Sequence, residues 1–301
     1  MDIISMTHRA NGLAVCCAFE GETFETEDQR QWGDASYKTY VRPLALPWPY
    51  FLTDAEPFSQ SVSIEWVQDN AQFHPFCDKP TISKMAFPET AIFLTAHDAS
   101  RLLKHPEDIV QVSPQRLLCH LDATTNEISK QIKTFAKLQA SLPELIFDLE
   151  LICGFDKDPL IELQNVQSTM LAAGLKPDSV LICPAVDRQS TPPGSDWPSC
   201  PPLTEIHKAS AAVFADCVRG GGMVSFFPEL NRKRPPVELL DFVSHSLCPI
   251  VHAADDISVM ETLETIPHIT RTARAIMGEA SYRIGPSTIA MRLNPYGQRT
   301  I

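Results

Sequence analysis

No glycine-rich GxGxxG turn follows a strand-like run, no GxSxG elbow occurs, and no two cysteines form a CxxC pair. The first absence argues against a dinucleotide cradle and the second against a serine α/β-hydrolase; the third leaves no spacing suited to a structural zinc. Cationic surface is also scarce. With 37 acidic against 25 basic residues, the formal charge is −12. The one dense basic cluster, Arg232 to Arg234, is too short to grip a phosphate backbone, so no nucleic-acid partner is expected. No apolar run is long enough to span a bilayer, and the first thirty residues hold no signal-peptide core, so a cytoplasmic protein without a membrane partner is expected. The nine cysteines are scattered. Cys119, Cys153, Cys183 and Cys217 lie inside apolar runs, where a thiol packs as a small hydrophobe. Cys16 and Cys17 are adjacent, a poor geometry for one metal. Neither a metal nor a cofactor is expected, and nothing in the sequence fixes an oligomeric state.

What is present is a core of ordinary size, 44% hydrophobic over 301 residues, organised in two parts. Residues 1–90 read as a β-rich segment, the end of a β-sandwich-like domain: LAVCCAF, YKTYVRPL and SVSIEWV are short alternating runs separated by Pro, Asp and Gly. From residue 91 to 301, strand and helix alternate. Apolar runs end in polar groups at LLCHLD, LIFDLE, VLICPAVD, GMVSFFPELNR and FVSHSLCPIVH, with a sixth strand at 282–289. Helices are expected from a Thr124 or Thr125 cap through Leu142, and near 159–173, 203–218 and 256–277, the last interrupted by Pro267. Alternation of this kind makes parallel crossovers. Polar residues end nearly every strand, so the expected fold is α/β, a partial (β/α) TIM-like barrel of about six strand–helix units behind a small β-rich domain. Eight units need about 250 residues, which leads us to expect a truncated barrel, self-associating and poorly active when residues 1–301 stand alone.

Chemistry in such a fold sits at the carboxyl ends of the strands. Glu229 follows the apolar run ending Phe226-Phe227-Pro228, a partly desolvated setting for an acid/base; Asn231 and Arg232 would orient it or bind substrate oxygens. The plainer alternative is an ion pair with the following basic cluster. His245 is the second catalytic candidate, and His252 with Asp255 would bind substrate beyond it, although Asp256 also reads as a helix cap. His120 and Asp122 share one side of their strand, as do Asp148 and Glu150; the two readings are that they line the mouth and bind substrate, or that they pair with each other in the interior. The Pro-rich loop from Thr191 to Pro202, carrying Trp197, reads as a lid over a sugar ring or as a stiff connector.

Three blocks together carry a resemblance: FEGETFETEDQRQWGDASYKTYVRPLALPWPY from Phe19, FFPELNRKRPP from Phe226, and DFVSHSLCPIVHAADDISVMETLETIP from Asp241 together with IGPSTIAMRLNPYG from Ile284. They resemble the D-apionate lactonase family of bacterial sugar catabolism. The resemblance implies hydrolysis of the lactone of a branched sugar acid, D-apionolactone to D-apionate, on a β domain joined to a barrel. It covers Glu27, Asp28, Gln29, Arg30, Trp32, Asp34 and Lys38 without assigning them a role. The implied partner is a small sugar lactone, attacked by water that Glu229 or His245 activates, with Arg232 or His252 near the oxygens. Two rival readings stand beside it. One is a glycoside hydrolase with Glu229 as acid/base and a second carboxylate about 5 to 9.5 Å away; the other is a non-catalytic fragment.

Overall fold

Strands buried on both faces read as near-continuous apolar runs, and the run from residue 146 to 153 is of this kind: seven of its eight residues are buried. In the computed structural model, which describes residues 2–10, 12–27, 38–43, 46–47, 49–52, 57–68, 87–191, 196–250 and 254–293, the chain divides into two units, 1–29 with 36–87 and 30–35 with 88–301.

The first unit is antiparallel. Strands β1 (Ser5–Ala10), β2 (Leu13–Glu20) and β5 (Ser61–Gln68) form one sheet in the order β1-β2-β5, while β3 (Phe24–Thr26) pairs with β4 (Thr39–Val41). Phe24 is buried and stacks on Phe19, with ring centroids 4.9 Å apart. Glu27 and Lys38 face each other across the β3–β4 pair, their charged groups 3.6 Å apart; positions 28 to 37, which carry the rest of that motif, lie outside the described residues.

The second unit is a parallel sheet of seven strands, each paired with its sequence neighbours: β6 (Ala91–Leu94), β7 (Arg116–Asp122), β8 (Ile146–Cys153), β9 (Ser179–Pro184), β10 (Val218–Phe226), β11 (Phe242–Leu247) and β12 (Ser281–Ser287). Flat, this sheet would hold β8 and β12 about 19 Å apart, four strand spacings of ~4.8 Å. Instead Arg283 of β12 donates to Ser179 Oγ of β9 at 2.6 Å and comes within 3.5 Å of Asp148 of β8. The sheet is therefore rolled, and these side chains point into its interior. Its fold is the expected TIM-like barrel, preceded in sequence by a small β-rich region, and among the described residues it has one strand more than the six read from the sequence: β6, only four residues long.

Helices cover the outside. They are α1 (Ala96–Leu102), α2 (Glu107–Val112), α3 (Ile128–Ser141), α4 (Pro159–Ala173), α5 (Leu203–Val213), α6 (Phe227–Lys233), α7 (Asp256–Thr262) and α8 (Ile266–Met277). Ile132, Phe135 and Leu138 of α3 are buried on one face, as their spacing requires. Asp158 caps α4, with Pro159 in its first turn and Gly174, at φ 79°, in the left-handed position that ends it. Pro267 stands in the first turn of α8, where its missing N–H costs nothing, so the expected interruption falls there. Thr124 and Thr125 do not cap α3; both close a turn on Asp122, and α3 starts after Glu127. Among the described residues no helix is long and apolar enough to cross a membrane.

Candidate active site

Register decides which side chains enter the barrel. Residues opposite one another on parallel strands share a face, and His120 pairs with Glu150, Leu118 with Asp148, and Asp148 with Ser179. The inward set thus climbs in layers. At the amino-terminal end, Arg116 grips Asp148 with Nε at 2.6 Å and a terminal nitrogen at 2.9 Å, and also bonds Asp178. Ser179 and Arg283 complete this layer, and Arg283 lies 3.9 Å above the centre of the Phe242 ring. Burial pushes the Asp148 carboxyl up, but Arg116, Ser179 and Arg283 outweigh it and hold it below its usual range.

Toward the carboxyl end the interior changes from closure to chemistry. Glu150, with no exposed surface, accepts from His120 Nδ1 at 2.7 Å and from both terminal nitrogens of Arg292 at 2.6 and 3.0 Å. Burial opposes its charge, yet the bonds from His120 and the Arg292 cation keep the carboxyl below its usual range. An ionised Glu150 fixes the His120 tautomer with hydrogen on Nδ1, leaving the Nε2 lone pair outward. Nε2 has no protein partner among the described residues, and 23% of the side chain is open. One pleat further along β7, two residues beyond His120, Asp122 accepts from Arg188 at 2.6 Å and from Thr124, which brings a second cation to the end of this strand.

Glu229 lies at the carboxyl end of β10, but its surroundings differ from those expected. The strand passes straight into α6, and Glu229, 2% exposed, accepts from Arg232 and from Ser190. Lys233, one residue on, binds Asp187, and its Nζ is 5.4 Å from the centre of the Trp197 ring. Glu229 is thus a buried ion-pair member joining α6 to the turn after β9. Asn231 is occupied with Arg234 at the end of α6. His245 is fully buried on the outer face of β11, against Phe227 and Tyr282, with Nε2 2.7 Å from the Tyr282 hydroxyl. Burial pulls its pKa down to about 4. It faces the helices and does not meet Glu229. Asp255 caps α7 through Ser258, which accounts for its position without a substrate. His252 lies outside the described residues.

Arg292, which bonds Glu150, lies in the block from Ile284, where no strand or helix pattern in the sequence marks it as a site residue. Among the described residues no group of three or more His, Cys, Asp or Glu side chains is placed to hold a metal ion. A pocket of about 230 Å³ opens beside Phe227, Leu247, Ile266 and Ile289, but no carboxylate, imidazole or cation lines it.

A rolled parallel sheet with helices outside and a carboxylate–imidazole pair at the carboxyl ends of its strands defines a (β/α)-barrel protein with an enzyme-like site. Residues 90–301 match the model of the D-apionate lactonase TIM barrel domain, and residues 1–69 that of the D-apionate lactonase N-terminal domain. The chain belongs to the D-apionate lactonase family. It is 45% identical, over 308 aligned positions, to a D-apionate lactonase of Brucella anthropi, covering 100% of this chain and 50% of that protein. The chain thus spans about half the length of that curated relative. Partial likenesses to solved structures are distant. A chain from the structures of two fungal β-1,4-galactanases gives a TM-score of 0.46 at 10% identity, over 67% of this chain and 74% of that one. The catalytic domain of a mannanase from Streptomyces sp. SirexAA-E gives 0.41 at 12% identity, over 70% and 68%.

Proposed function

We propose that this chain carries the barrel site of a sugar-acid lactonase that opens D-apionolactone to D-apionate, with His120 as the general base and Glu150 as the group that orients it. The observation that carries the site assignment is the 2.7 Å bond from His120 Nδ1 to Glu150 inside the strand ends; the kinship with a D-apionate lactonase supports the substrate. Nε2 takes a proton from water as the water oxygen bonds to the lactone carbonyl carbon. The tetrahedral oxyanion then collapses, breaking the bond to the ring oxygen, and that oxygen recovers the proton from Nε2. Atoms balance as lactone plus water giving one hydroxy acid. Arg188, 30% exposed and held by Asp122, is the cation placed to meet the developing oxyanion or the product carboxylate. A net charge of −12 suits a small substrate better than a polyanion.

Proton release from D-apionolactone, set against a panel of aryl glycosides, tests the reading. Lactone opening should exceed glycoside cleavage, and His120→Ala should lower kcat by roughly 10²- to 10⁴-fold. Faster turnover of an aryl glycoside would favour the glycoside hydrolase alternative, and an unchanged His120→Ala variant would remove the proposed base.

A further inference from the structure

Glu150 is an unusual place to find an arginine from the far end of the sequence. Arg292 follows β12, 142 positions from Glu150, yet its guanidinium lies inside the barrel. Both terminal nitrogens bond the carboxylate, and one of them also reaches the Val224 carbonyl and Ser246 Oγ, each at 2.9 Å. The plane lies 4.8 Å from the centre of the Phe93 ring, and that ring in turn is 5.7 Å from the imidazole of His120. Arg292 therefore contacts strands β6, β8, β10 and β11 at the level of the His120–Glu150 pair.

We infer that Arg292 is a positioning residue for this pair: its forked, two-point grip fixes the Glu150 carboxylate in the plane and rotation that hold the His120 imidazole for proton transfer. The inference rests on the reading of His120 and Glu150 given above. Arg292 does not serve as a substrate clamp, because its terminal nitrogens already bond Glu150, Val224 and Ser246 and its side chain is only 12% exposed. Fork geometry explains the choice of residue. Lysine would supply the charge from a single point and leave the carboxylate free to rotate.

Three measurements on the 301-residue chain test this with Arg292→Lys and Arg292→Gln. Either variant should lower kcat about 10- to 100-fold, the scale seen for groups that orient a ligand or base from behind, with KM nearly unchanged. The Glu150 carboxyl, followed by its ¹³C shift against pH and assigned with Glu150→Gln, should titrate at higher pH in Arg292→Gln, since the adjacent cation favours the ionised carboxylate. In Arg292→Lys that titration should move less while kcat still falls, because the charge remains and the fork is lost. A rise in KM with kcat unchanged would overturn the inference by making Arg292 a substrate ligand. So would an unmoved Glu150 titration in a folded Arg292→Gln protein, or full activity in Arg292→Lys. If Arg292→Gln does not melt cooperatively, the Lys variant decides on the same criteria. A wild-type chain that opens no lactone would count against the lactonase reading alone, since the carboxyl titration needs no turnover.

Discussion

At the scale of single residues, two buried histidines make the protein sensitive to acid. His245, bonded to Tyr282, and His207 on α5, whose Nδ1 has no partner among the described residues, are both held neutral by burial at pKa values near 4. An unfolded histidine titrates near 6.5. Between these values the unfolded chain binds more protons than the folded one, so stability is complete above about pH 6.5 and falls as the pH drops toward 4. Each histidine contributes about 3 kcal/mol to that loss, from a shift of about 2.5 units. His207→Gln, which has no such proton to gain, should lose less stability than wild type between pH 7 and pH 4.5 in urea melts, and equal slopes would contradict the assignment. His245 also marks a limit of what strand parity tells. In FVSHSL the period of two separates Phe242, Ser244 and Ser246 from Val243 and His245, but both faces of a barrel strand are buried. Nothing in the sequence says which set looks inward.

At the scale of elements, the alternation of strands and helices was legible because each apolar run is long and each helix has a periodic face. The short ones were not: β6 has four residues, and α1 and α2 seven and six, too few to show a period. The passage from β10 into α6 is hidden in the sequence for a different reason. Pro228 looks like a breaker in sequence, yet in the first helical turn its fixed φ favours the helix, so the glutamate expected on an open loop is packed inside a turn. Parity within each strand groups His120 with Asp122 and Glu150 with Asp148 without saying that either set looks inward, and Arg292 comes from beyond the last strand, where no local pattern signals it. Strand β10 also carries a close approach. A Cβ on Gly220 would lie 2.2 Å from the Phe242 ring, which fills the barrel beneath Arg283. Gly220→Ala should therefore destabilise the barrel by about 1–3 kcal/mol through overpacking. Phe242→Leu in the same chain should recover part of that loss, and strictly additive melting shifts would show that the two positions do not meet.

At the scale of the whole barrel unit, every strand pairs with its neighbours in sequence, while the arginines that cross the interior join residues far apart: Arg283 to Ser179 across 104 positions and to Asp148 across 135. This division has a kinetic meaning. Contacts between successive strands close short loops and are cheap to nucleate, whereas a bridge across more than a hundred residues must wait until the intervening chain is ordered. Arg283 should therefore make its bonds after the rate-limiting barrier. Arg283→Met, which leaves Asp148 still gripped by Arg116, should speed unfolding in proportion to the stability lost while leaving refolding nearly unchanged. A chevron with a slowed refolding arm would instead place this bridge in the nucleus. Late formation makes these crossing bonds the last gained on folding and the first broken on unfolding, so the arginine contacts inside the barrel lengthen its folded lifetime without hastening its assembly.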